Sequence, residues 1–197
     1  MFRFFRNHIL FLFICAFCSC GDSCPDGVLF LGDFNLSDYE KSLIPYTGFE
    51  DLKFIDNGGR EIMARTQPRE LLDQEINTGP EECESWESEE LDNFVNFIAQ
   101  GFSIRLIIEA FDNNSTFQIS YNETDNPSGQ EVLSEIVNPM LGEAENIELF
   151  GFSFQEVFVF KSTLANGKID TILFSANGKG IELIVFSDGN YLKSNNF

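Results

Sequence analysis

The sequence is poor in the residues that most often do chemistry. It holds 1 His and 1 Trp, and only 12 Lys and Arg against 32 Asp and Glu, a net charge of −20. The one histidine, His8, lies in a stretch read below as a cleaved leader. A chain without imidazole loses the Ser-His-Asp and Cys-His nucleophiles, the histidine general base and His-ligated zinc, copper or iron. So few basic residues leave no phosphate-neutralising patch, which excludes nucleic acid as a partner. No apolar run approaches the roughly 18 residues of a membrane-spanning helix. Gly-x-Ser-x-Gly, Ser-x-x-Lys and phosphate-loop motifs are absent: Gly167-Lys168 and Gly178-Lys179 are followed by Ile and Gly, not by Ser or Thr. Gly178-x-Gly180 lacks a third glycine and precedes a strand pattern, so it is no dinucleotide fingerprint.

What is present begins with an export pattern. Arg3, Arg6 and His8 precede an unbroken apolar run, Ile9 to Phe17, which is too short to span a bilayer and matches a signal-peptide core. It ends in Phe17-Cys18-Ser19-Cys20. A small residue directly before Cys20 resembles the lipobox of bacterial lipoproteins. That resemblance implies that Cys20 becomes the first residue, with diacylglycerol on its sulfur and an acylated amine. The expected organisation is a signal peptide over 1–19, a membrane tether over 20–27 and a single β-rich domain over 28–197. Loss of Arg3 and Arg6 leaves 10 basic residues against 32 acidic ones, a net charge of −22.

Cysteine usage agrees with an oxidising compartment. Cys15 and Cys18 leave with the leader, so Cys24 and Cys83 are the expected disulfide. It closes a loop of about 60 residues, worth roughly 4 kcal/mol in the chain-entropy model.

From residue 28 the pattern is mainly β. Val28–Leu31 reads as a short strand. Leu52–Ile55 and Glu61–Ala64 flank Asp56-Asn57-Gly58-Gly59, and Ser103–Phe111 and Thr116–Tyr121 flank Asp112-Asn113-Asn114-Ser115, two hairpin signals. Phe154–Lys161, Ile169–Phe174, Ile181–Phe186 and Tyr191–Lys193 are separated by Asn166-Gly167, Asn177-Gly178 and Asp188-Gly189. They read as a C-terminal antiparallel meander. Phe158 and Phe160 share one face and Val157 and Val159 the other. Two apolar faces imply a sandwich or a small barrel rather than an open sheet. Leu91, Phe94, Val95 and Ile98 fall at helical spacing with Gly101 as a cap, so a helix is expected over about 89–100. Glu131–Val137 fits either a short helix or a strand. Residues 77–90 read as a solvated acidic connection pinned by Cys83.

The composition points to no catalytic residue, no cofactor and no metal site. Calcium is the one metal it suits, yet no 12-residue calcium loop occurs, and Asp56-Asn57-Gly58 and Asp112-Asn113-Asn114 are turn chemistry first. Glu87, Glu89 and Glu90 read as surface charge. Trp86 either covers an apolar edge or stacks on a sugar, and the phenylalanines fill a core or line a lipid cavity.

Tyr46-Thr47-Gly48, Leu52-x-Phe54-x-Asp56-x-Gly58, Ile172-Leu173-Phe174-Ser175, Gly180-Ile181 and Asp188-Gly189 together resemble the small envelope lipoproteins of Bacteroidota. The resemblance carries over no catalytic residue. It implies an outer-membrane lipoprotein, periplasmic or surface-facing, whose partners are the membrane through its lipid and an unidentified protein or glycan. The expected function is a non-enzymatic binding or structural accessory. The alternatives are an acidic periplasmic inhibitor or immunity-type protein binding a basic partner and a carboxylate-based glycan-active enzyme.

Overall fold

Alternating apolar residues and Asn-Gly or Asp-Gly turns produce what they predict, a mainly β, antiparallel fold. The computed structural model describes residues 27–77, 83–112, 114–124, 126–139 and 144–195. The expected leader, Cys20 and Cys24 lie outside the described residues. The chain sorts into two units, residues 1–32 with 75–86 and residues 33–74 with 87–197.

In chain order the elements are β1 (Leu29–Phe34), a single α-helix α1 (Asp38–Leu43), β2 (Asp51–Asp56), β3 (Glu61–Thr66), β4 (Glu70–Asn77) and β5 (Glu84–Phe97). After a 3-10 turn at Ile98–Gln100 come β6 (Phe102–Phe111), β7 (Asn114–Glu123), β8 (Asn126–Val132), β9 (Ile136–Val137) and β10 (Glu145–Leu149). The meander follows as β11 (Phe152–Lys161), β12 (Ile169–Ser175), β13 (Gly180–Phe186) and β14 (Tyr191–Ser194).

In the larger unit the strands run β10-β11-β12-β13-β14-β2-β3-β5-β6-β7-β8, with β9 paired to β7. The meander joins the front of the chain through β14 and β2, where Leu192 pairs with Asp56 and Ser194 with Phe54. The sheet curls into a half-barrel. Near its two ends the ladder meets itself: Leu133, just after β8, bridges Ser162, just after β11, and Ser134 N–H donates to the Lys161 carbonyl at 2.7 Å. The curl brings Phe117 of β7 edge-on to Phe160 of β11 and Phe174 of β12, centroids 5.0 and 4.9 Å apart. Phe54, Phe97, Phe117, Phe158, Phe160 and Phe174 are all fully buried. The two-faced reading of β11 holds: Phe158 and Phe160 enter the large interior core, while Val157 and Val159 join a second cluster with Phe154, Leu173, Leu183 and Val185.

The helix expected over 89–100 is a strand. In β5, Leu91, Asn93, Val95 and Phe97 point inward in strict alternation and pair with β6, Val95 opposite Ile104 and Phe97 opposite Phe102. Leu91 and Val95, four apart, satisfy both periods. Phe94 faces outward under the Arg105 guanidinium, 5.6 Å from its ring, and Ile98 is 77% exposed. Only the cap was right, since Gly101 sits at φ 73° and its N–H reaches the Ile98 carbonyl. Glu131–Val137 resolves into the end of β8 and the short β9.

The described part of 77–90 is not a solvated connection either. Glu84 opens β5, and Ser85, Trp86, Ser88, Glu89 and Glu90 are buried. Trp86 therefore offers no open face to a sugar. The real helix, α1, is set by a capping box: the Ser37 hydroxyl accepts from the Glu40 N–H while the Glu40 carboxylate accepts from the Ser37 N–H at 2.7 Å.

Candidate functional site

A mismatch in strand length creates the main concavities of the larger unit. β3 pairs with β5 only through Arg65–Asn96 and Thr66–Val95. One residue further on, β5 ends at Phe97 and the chain turns through Ile98–Gln100 into β6. Glu61–Ala64 therefore continue past β5 with a strand partner only on the β2 side. Two clefts open along this seam and share Phe102 as a wall.

The larger cleft, about 640 Å³, has Phe102, Tyr121, Phe186 and Ile62 along it and the β2–β3 and β13–β14 turns on its rim. The Phe102 ring lies 5.2 Å from Tyr121 and 5.8 Å, edge-on, from Phe186. Asn57 Nδ2 donates to Asn190 Oδ1 at 2.9 Å and ties the two turns together. Asp56 closes the first turn: its Oδ1 accepts from the Arg60 and Gly58 N–H groups at 2.8 and 2.9 Å, and its Oδ2 accepts from Arg60 Nε at 2.8 Å. Asp188 closes the second, accepting from the N–H and the side-chain amide of Asn190 at 2.9 and 2.7 Å. Hydrogen bonds from the Arg60 backbone hold the Asp56 carboxyl below its ordinary value, and those from Asn190 do the same for Asp188. Burial pushes the Tyr121 hydroxyl up, helped by Glu123. The rim thus presents amide donors and acceptors and the exposed Arg60 guanidinium. Its two turn aspartates are ionised and already engaged, and neither is a proton donor at neutral pH.

The second cleft, about 520 Å³, is more apolar. Phe49 and Ile98 stand largely exposed at its mouth, with the Arg65 guanidinium 5.6 Å from the Phe49 ring and Asn96, Thr66 and Gln67 alongside.

No protein-family model, curated protein or solved structure matches this chain.

The glutamates read as surface charge divide. Glu87 is exposed, but Glu89 and Glu90 are buried and partnered. Glu89 accepts from the Leu36 N–H at 2.8 Å and from Lys41 Nζ at 2.9 Å, which fastens α1 to β5. Glu40, also buried, accepts from Ser115 and Ser37. Burial alone would raise its carboxyl, yet those hydroxyls and Lys41 bring it below its ordinary value. Glu90 faces the other side of β5, directly across the ladder from Glu109. Gln74 donates to Glu90 at 3.0 Å, and Arg105, forked onto Asp92 at 2.8 and 3.0 Å, lies 3.8 Å from it. Burial, then the Glu90 charge, raises the Glu109 carboxyl. Two carboxyls side by side, one of them raised, is the pairing that carboxylate catalysis uses, but this pair lies outside both clefts.

Of the residues singled out from sequence, Cys83 is disulfide-bonded, its expected partner Cys24 being outside the described residues. Cys20, the expected lipidation residue, is likewise outside them. Among the described residues no three His, Cys, Asp or Glu side chains gather as a metal would need, and no helix is long and apolar enough to cross a membrane. Phe102, Arg60 and Asn190 carried no sequence signal. Asp56-Asn57-Gly58 and Asp188-Gly189 were legible as turns, but nothing local says that they share a rim.

Proposed function

We propose that this chain is a lipid-anchored bacterial envelope protein, a non-enzymatic binding accessory that takes its ligand in the clefts along the β3–β5 seam. The anchor rests on Ser19-Cys20 following a nine-residue apolar run. The observation that favours binding over catalysis is the engagement of Asp56 and Asp188: both hold turns and neither is poised to move a proton. Aromatic walls with an amide and guanidinium rim suit a ligand that is partly apolar and rich in hydrogen-bonding groups, a glycan or an extended peptide.

Two measurements test it. Labelled palmitate should enter the chain in its host envelope and vanish in Cys20→Ser. Surveyed against envelope glycans and peptides, the protein should bind at least one class, with affinity lowered about 10-fold or more by Asn190→Ala or Arg60→Ala and the fold intact. Labelling at another residue would refute the anchor; binding indifferent to both variants would refute the cleft.

The charge of −22 left after loss of Arg3 and Arg6 favours a second reading, an acidic inhibitor that captures a basic partner. It requires a stoichiometric complex that dissociates as salt rises. An empty pull-down at low ionic strength would end it.

A further inference from the structure

Val28, Leu29, Phe30 and Leu31 are consecutive, apolar and exposed at 55, 61, 53 and 44%. A half-buried strand hides every second side chain; here none of the four is hidden. The segment is nonetheless fastened, because the Leu29 N–H donates to the carbonyl of disulfide-bonded Cys83 at 2.8 Å. Such a strip left in water is costly and marks a contact surface.

We infer that Val28–Leu31 rests in the headgroup–acyl boundary of the bilayer that Cys20 anchors, so that the protein docks on the membrane through this strip. The inference rests on the lipidation of Cys20. Residues 21–27 separate Cys20 from Val28, and seven residues span at most about 25 Å, so the strip cannot leave the vicinity of the membrane surface. The contact has to be apolar, because a chain of charge −22, with Arg3 and Arg6 removed, is repelled by anionic headgroups. Immersion to a depth of about 5–10 Å covers the side chains without carrying the backbone into the hydrocarbon centre, where its unpaired groups would find no partner. The strip acts as a second attachment beside the acyl chains and limits the rotation of the protein about its tether.

The test uses the full acylated chain in phosphatidylcholine vesicles with brominated acyl chains. In a Trp86→Phe background, Phe30→Trp should lose about half of its emission or more, while the same probe in the Cys20→Ser chain should lose little. The unaltered chain supplies a readout free of substitutions: amides of residues 28–31 should exchange about 10-fold more slowly on vesicles than in the Cys20→Ser chain free in solution. An acyl mass on Cys20 with an unquenched probe at position 30 and unchanged exchange overturns the docking and spares the anchor. Crosslinking between copies at position 30 in place of quenching overturns it in favour of self-association. Absence of the acyl mass removes the anchor and the inference together.

Discussion

Tyr46→Phe is a one-atom probe of how the front of the chain is joined to the meander. Tyr46 is buried, and its hydroxyl accepts the Ile181 N–H at 2.8 Å, a bond spanning 135 residues of sequence. Ile181 is itself buried at the start of β13, next to Gly180 at φ 88°. A Cβ on Gly180 would collide with the Tyr46 ring, so only glycine allows the strand to approach it this closely. Phenylalanine keeps the ring and the packing and removes only the acceptor. A buried donor left unpaired costs about 1–3 kcal/mol. At an m-value of about 2 kcal/mol per M, a 2 kcal/mol loss lowers the urea midpoint by about 1 M. Tyr39→Phe is the control, because that hydroxyl meets the Ala176 carbonyl only at 3.4 Å and at the surface; its cost should stay below about 0.5 kcal/mol. Burial pushes the Tyr46 hydroxyl far above the ordinary tyrosine range. Its contribution is therefore intact below the unfolded tyrosine pKa and is lost only as pH rises beyond that value. Tyrosinate absorbance should show one ring that ionises only on unfolding, and Tyr46→Phe should abolish that late step. An unchanged midpoint with an unchanged m-value would refute the bond between Tyr46 and β13.

Gly167→Ala should cost about 1–3 kcal/mol, since a methyl there has no room against the Glu131 carboxylate and the Ser162 hydroxyl. The cost should shrink in a chain that also carries Glu131→Ala, and strict additivity in that double-mutant cycle would argue against the contact. Stability should fall as pH drops through the depressed values of Glu40, Asp56 and Asp188, whose ionised forms the fold favours. Glu40→Gln should flatten that acid limb in urea titrations repeated across pH. Glu109 has the opposite sign: its raised carboxyl favours the fold at low pH and penalises it at neutrality. Glu109→Gln should therefore stabilise at pH 7 and not at pH 3. A non-reducing digest of the protein from its host should join the peptide of Cys83 to that of Cys24; a different partner would break the expected pairing.

What the sequence displays well is whatever local periodicity decides. Val157-Phe158-Val159-Phe160 can bury both of its faces only between two apolar clusters, and it does. The Asp-Gly and Asn-Gly turns of the meander likewise became hairpins because positive φ is a local demand, met by Gly178 at φ 68° and Gly189 at φ 84°. Leu91, Phe94, Val95 and Ile98 misled because local periodicity there is degenerate. What selected the strand was β6, whose long ladder pairs all of 90–97 and repays more than an isolated helix of about three turns could. The capping box at Ser37 was local and readable as Ser-x-x-Glu, but the six-residue helix behind it is too short to show an apolar stripe.

The glutamates and the clefts were hidden for another reason, which is registry between distant segments. Glu89 is buried because Lys41 and the Leu36 N–H come to meet it across 48 and 53 residues, and no window around 89 contains either. The clefts exist because β3 outruns β5, a relation between where two strands end. The structure places the turn aspartates of the larger cleft in structural bonds. In the reading proposed above, a ligand held there is recognised by Asn57, Asn190, Arg60 and the Phe102 wall. If Asp56→Asn were to leave binding intact while lowering stability, the aspartate would be a turn device only. If it abolished binding while the fold and Arg60 stayed in place, that carboxylate would have to face the ligand directly, against its present engagement with Gly58 and Arg60.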